Sequence, residues 1–207
     1  MSKTPYIQTA VRITSDSVMI NQNEIEITRN EGWLTSIYRH LGIQYPKFFK
    51  MDNLCKAGFL ASEFAVRVSD LQVEEDGHPD WSVIVFNNCS SLDNDKAYQE
   101  TIKDADNYYP SPSVFVYTLS NIVTGEIAIR HKLKGESCSY ILPKFDAEEM
   151  YQVGLTSLLP EKQINNLLIG WVNYLDGVCD TLLFHVSVED ENEGIASWTK
   201  ENIEKFY

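Results

Sequence analysis

Residues 111–136 read Ser-Pro-Ser-Val-Phe-Val-Tyr-Thr-Leu-Ser-Asn-Ile-Val-Thr-Gly-Glu-Ile-Ala-Ile-Arg-His-Lys-Leu-Lys-Gly-Glu. Ser111 before Pro112 is a helix start: a hydroxyl that can cap, then a proline in the first turn, where its missing N–H is not needed. Phe115, Leu119, Ile122, Val123, Ile127 and Ile129 follow and cover more than one stripe of a helical wheel. A helix apolar over most of its circumference is a buried one, so the pattern predicts a single buried helix to about Lys132, stopping before Gly135. Thr118, Asn121 and Gly125 interrupt it with small or polar groups. Ser139-Tyr140-Ile141-Leu142 then reads as a strand. Asp146-Ala147-Glu148-Glu149 opens a further helix to about Leu159, with Asp146 as cap and Glu149 completing the capping pattern three residues on.

Upstream, Trp81-Ser82-Val83-Ile84-Val85-Phe86 is a continuous apolar run after Ser82, the signature of a strand covered on both faces. Asn87-Asn88-Cys89-Ser90-Ser91 ends it, at the strand end where open α/β sheets gather ligands. Before it, Lys47 to Val68 is expected to be one long helix, with a small-residue stripe at Ala57, Gly58, Ala61 and Ser62 that invites close packing. Trp33 to Gly42 is a shorter helix with a glycine stop. Tyr6 to Ile27 alternates as β structure, with a hairpin expected at Asn21-Gln22-Asn23 between Val18–Ile20 and Ile25–Ile27. Gln72 to Asp80 and Glu189 to Glu193 read as acidic loops, and Asp93 to Ile102 as a polar helix. Downstream, Leu167 to Leu175 and Thr181 to Val188 are strands joined at Asp176-Gly177, a hairpin turn. Ser197 to Phe206 is expected to be an exposed final helix. The order predicts one α/β domain over 1–207: a mixed five-stranded sheet with helices on both faces and an N-terminal β-hairpin.

Composition narrows the function. With 43% hydrophobic and 12% aromatic residues the chain is globular, and its net charge of −13 opposes nucleic acid and anionic membrane. No stretch nears the roughly 20 apolar residues of a membrane span. Met1-Ser2-Lys3-Thr4-Pro5 carries no signal-peptide run, so a cytoplasmic location is expected. Cys55, Cys89, Cys138 and Cys179 form no CxxC pair, and neither a metal nor a cofactor site is expected.

Three blocks together resemble the N-terminal domain of a β-ketoacyl synthase, in the short variety of aryl-polyene and flexirubin-type pigment clusters. They are Tyr45-Pro46-Lys47-Phe48-Phe49-Lys50-Met51-Asp52 with Ala57 to Ala61; Ser82 to Leu92; and Pro112 to Glu136, whose Asn121, Gly125, Ile127 and Ala128 match the synthase helix. The resemblance spans about residues 45 to 185 and implies half of a thiolase-like fold. It implies 3-oxoacyl-[acyl-carrier-protein] synthase chemistry, in which a cysteine at the turn after the strand takes the acyl group. A helix N-terminus there lowers the thiol pKa.

This chain departs from that pattern. Counting forward from Gly135, the elbow falls at Pro143-Lys144-Phe145, so Lys144 or Phe145 stands where the nucleophile would be. Cys138 lies several residues earlier, more than about 10 Å along a strand. The synthase histidines come from a second half of the fold that this sequence does not contain, and His131 and His185 read as structural. The expectation is a non-catalytic ketosynthase-like subunit. It would act as a homodimer, as a heterodimer with a ketosynthase, or with an acyl carrier protein. Two alternatives stand beside it: an acyl-thioester-binding or hydrolysing enzyme using Cys89 or Lys144, and a pure dimerisation module.

Overall fold

The computed structural model describes residues 4–69, 75–106, 108–189 and 194–207. The chain runs β1 (Tyr6–Thr14), β2 (Val18–Ile20), β3 (Asn23–Glu24), α1 (Trp33–Leu41), α2 (Asn53–Val68), β4 (Trp81–Asn87), α3 (Leu92–Glu100), α4 (Pro112–Phe115), α5 (Ile122–His131) and β5 (Ser137–Ile141). It continues through α6 (Ala147–Ser157), β6 (Asn166–Leu175), β7 (Val178–Ser187), β8 (Ala196–Ser197) and α7 (Lys200–Phe206). The strands form one sheet in the order β3-β2-β1-β7-β6-β4-β5, with β8 also on β1. Its five long strands are those expected; the short β2, β3 and β8 raise the number among the described residues to eight. β4 is parallel to β5 and β6, whereas β7 is antiparallel to β6 and β1. All seven residues of β4 are buried, as the continuous apolar run Val83–Phe86 suggests. The β6–β7 turn is Asp176-Gly177, at φ 49° and 86°, the left-handed pair that suits strand twist.

Each face of the sheet has its own core. One face holds α1, α2 and α5, with Phe48, Phe59, Leu60, Val123 and Ile127 fully buried. The small-residue stripe does what its composition suggests: a Cβ on Gly58 would come within 2.7 Å of Val123 Cγ2, so the Val123 side chain of α5 packs directly on the α2 backbone. The other face holds α6 and α7 over Phe86, Ile169, Trp171 and Phe184.

Several expectations change. The helix expected from Lys47 begins only at Asn53. Pro46–Lys50 is a 3₁₀ turn, Met51 is extended, and Asp52 caps α2 by accepting from the Cys55 N–H at 2.9 Å. Asp52→Ala is expected to cost about 1 kcal/mol, the usual worth of such a cap, read as a lower urea midpoint at unchanged m-value. Ile25 and Ile27 lie beyond the short hairpin, which turns at Asn21 and Gln22, both at positive φ. α7 is not wholly exposed: Ile203 is buried, as is Trp198 before it. The acidic loop from Gln72 falls outside the described residues only at 72–74, whereas the acidic turn after Glu189 falls almost wholly outside them.

The largest change is in residues 111–132, which form two helices. α4 ends in a 3₁₀ turn at Val116–Thr118, Leu119 is extended, and α5 starts at Ile122. The Thr118 hydroxyl donates to the Phe115 carbonyl, a local bond that competes with helix continuation. Val123 and Ile127 are buried, but Phe115, Leu119 and Ile129 are 53%, 51% and 64% exposed. The apolar circumference therefore marks two faces with different fates.

Candidate functional site

The site that the sequence singles out is the turn from β5 into α6. β5 runs parallel to β4, and past its end Leu142 donates its N–H to the Asn87 carbonyl at 2.8 Å, so both strands end level. Pro143 and Lys144 then face solvent, and Asp146 caps α6 by accepting from the Glu149 N–H at 3.1 Å. Glu148 and Glu149 sit in the first turn, where carboxylates favour the helix dipole and would oppose a thiolate.

Phe145 turns inward. Its ring stacks on Tyr207 at 3.8 Å and 2° between planes, and meets Trp171 edge-on at 6.1 Å. Asp180 ties these rings together, accepting from Trp171 Nε1 at 3.0 Å and from the Tyr207 hydroxyl at 2.7 Å. Arg12 pairs with Asp180 at 2.6 Å, donates to the Thr181 carbonyl at 3.0 Å and lies over the Tyr207 ring at 4.8 Å. Burial, reinforced by Asp180, pushes the Tyr207 hydroxyl up to about 12, so it stays protonated and donating. β1, β6, β7 and the end of α7 thus converge on the elbow and fill its inner side with aromatic surface and one ion pair. An open cleft of about 310 Å³ remains outside, between Lys144, Phe145, Lys200 and Tyr207.

No protein-family model and no curated protein matches the sequence. Solved structures do match. The chain superposes on the ishigamide ketosynthase/chain length factor with a TM-score of 0.61 at 13% identity, over 92% of this chain and 64% of that one. It superposes on a chain of AntDE:AntF, a type II PKS acyl-carrier protein in complex with its ketosynthase bound to the hexaketide, at 0.59 and 13%, over 90% and 63%. The third match is the ketosynthase ApeO in complex with its chain length factor ApeC from Xenorhabdus doucetiae, at 0.55 and 10%, over 98% and 90%.

The fold is similar to that of these ketosynthase and chain length factor structures.

The chain spans less than two thirds of the length of the first two of these chains. Within this ketosynthase-like fold, Cys89 lies just past the end of β4. It is buried, and its thiol donates to Asn173 Oδ1 at 3.0 Å and the Tyr174 carbonyl at 3.4 Å. Burial raises its pKa, the Tyr174 contact opposes this, and Asp93 and Asp176 add to the rise, so the thiolate is disfavoured. No hydrogen bond or ring contact among the described residues joins Cys89 to Lys144 or Phe145. Cys138 sits in β5, before the elbow.

The histidines serve the frame. His131 shares a 2.9 Å hydrogen bond with Ser62 between α5 and α2. His185 joins Ser69 at 2.6 Å and Asn166 at 3.0 Å and stacks on Trp81 at 4.5 Å. A serine, a histidine and an asparagine in series is a constellation that sequence reading missed, because 116 positions separate Ser69 from His185. Burial lowers the His185 pKa to about 3, which makes the imidazole a weak base. Among the described residues no group of histidines, cysteines and carboxylates could hold a metal, and no helix is long and apolar enough to cross a membrane.

Proposed function

We propose that this chain is a non-catalytic, ketosynthase-like subunit of fatty-acid or polyketide-type synthesis, in the manner of the aryl-polyene systems, and that it works by pairing with a ketosynthase. The observation that carries this reading is the elbow. By the count from Gly135, Lys144 or Phe145 stands where a nucleophile would; Phe145 packs its ring against Tyr207 and Trp171, and Lys144 is exposed to solvent. A phenyl ring forms no acyl thioester. The bonding of Cys89 to two acceptors weighs against the thioester-hydrolysing alternative.

Two features support pairing. The outer edge of β1 is occupied along Tyr6–Ile7 by β8 and along Val11–Ile13 by β2. At the opposite end of the sheet, β5 has no described strand beyond it. A free edge of this kind is a template for another chain. Beside it the Ser139 hydroxyl holds the Ser120 carbonyl, which draws the exposed Leu119 segment toward the edge, and Ile141 on the strand itself is 56% exposed. Of the three structures named above, two are described as complexes, one of a ketosynthase with an acyl-carrier protein and one of a ketosynthase with its chain length factor.

Co-expression with a ketosynthase of the source genome tests the pairing. A stable heterodimer is expected by size-exclusion chromatography with light scattering. Ile141→Asp, which places a carboxylate in an apolar contact, is expected to weaken it by roughly 100-fold while far-UV circular dichroism is unchanged. A monomer that captures neither a ketosynthase nor an acyl carrier protein would overturn the proposal.

A further inference from the structure

On the sheet face opposite the elbow helix, a cavity of about 150 Å³ opens where α1 and α2 begin and the β6–β7 hairpin turns. That is the size of an engineered protein cavity known to take one benzene, so it suits a small ligand and not an acyl chain. The residues lining it include one cation, Lys56, and no carboxylate, in a chain with 30 acidic and 17 basic residues. Asn53, Thr35 and Tyr174 line it as well. Among the described residues Lys56 has no carboxylate within ion-pair distance, and the Asn53 amide, Thr35 hydroxyl and Tyr174 hydroxyl have no hydrogen-bond partner.

We infer that this cavity binds a small oxyanion, a phosphate or carboxylate group, with Lys56 supplying the charge and Asn53, Thr35 and Tyr174 the neutral donors. Every lining group named can donate, and a half-buried ammonium without a counter-ion is stabilised by an anion brought beside it. Burial pulls the Lys56 pKa down, the mark of a charge partly removed from water, and Asp52 in the preceding turn opposes this only in part. The first turn of α1 borders the same space and adds its dipole; Gly32 gives that helix no side-chain cap. The Cys179 N–H is held by the Ser15 hydroxyl at 2.9 Å, which fixes the far wall. This site is separate from the elbow and from the β5 edge, so its fate is independent of the pairing proposed above.

The test uses the full chain with inorganic phosphate and with acetate, each against chloride at matched ionic strength, read by isothermal titration and by the thermal midpoint. Saturable binding of phosphate or of acetate is expected; which one binds identifies the source of the oxyanion. Lys56→Met, which keeps the apolar stem, is expected to weaken binding at least about tenfold, the order of one charge-assisted hydrogen bond. Lys205→Met, on the exposed side of α7, is expected to leave it unchanged. If Lys56→Met does not fold, Asn53→Ala reads the same site and is expected to weaken binding severalfold. Absence of saturable binding to both anions, or equal binding in wild type and the site variant, overturns the assignment.

Discussion

Gly170→Val is expected to destabilise the fold severely, by about 5 kcal/mol. Gly170 sits mid-way along β6, between Val85 of β4 and Leu183 of β7. A Cβ there would lie 2.1 Å from the Leu182 carbonyl oxygen and 2.7 Å from the Leu183 Cα. Both obstacles are main chain of a paired strand, so no side chain can rotate aside. Relief requires β7 to move, and β7 is held on its other side by β1 over nearly its whole length. Overpacking a core costs about 1–3 kcal/mol when side chains can adjust, and more when they cannot. A loss near 5 kcal/mol would take from about a third to all of the roughly 5–15 kcal/mol that holds a domain together. Gly170→Ala should show the milder form of the same defect. Soluble yield and the urea midpoint measure both. A wild-type midpoint for the valine variant would show that the strands can separate without loss.

Acid is expected to unfold the chain earlier than its carboxylates alone would. Burial lowers the pKa of His131 to about 3, helped by Arg130 and His78, and burial alone takes His185 to about 3, from an ordinary value of 6.5. Between those values the unfolded chain takes up a proton that the folded chain refuses, so stability falls as pH drops through 6.5 toward 3. At pH 5 the difference is about 2 kcal/mol for each imidazole, about 4 for the pair. Asp52 works the other way, because burial raises its pKa and the folded state then binds its proton more readily than the unfolded. Urea titrations at pH 7.5 and pH 5 should therefore differ by several kcal/mol, and His185→Gln should roughly halve the difference. Equal stability at the two pH values would mean that these imidazoles are already charged, or that they reach water, in the native state.

Much of the architecture was legible because it obeys local rules. α1 stops where Gly42 supplies the left-handed residue, at φ 63°. β4 was readable from its unbroken apolar run, and the β6–β7 hairpin from Asp176-Gly177. Asp146 was readable as the cap of α6 because its position relative to Glu149 is a backbone matter. Elsewhere the same kind of reading misjudged the chain. Lys47 to Val68 has one apolar period, but an extended Met51 and the Asp52 cap divide it. Phe115 to Ile129 has an apolar majority, but the extended Leu119 swings its halves apart and leaves much of that surface in water.

The residues by themselves determined the five long strands, the ends of α1 and the start of α6, and which side chains stand between β5 and α6. Those follow from side-chain periodicity and capping, which act over a few positions of one segment. Only the tertiary structure decided that Phe145 is stacked under Tyr207 and bound to a network through Asp180, that Ser69 meets His185, and that Lys56 faces a cavity without a counter-ion. Each of these depends on segments far apart in the chain meeting at fixed distances. Burial and pairing belong to the meeting of two elements, and no single stretch of sequence contains both.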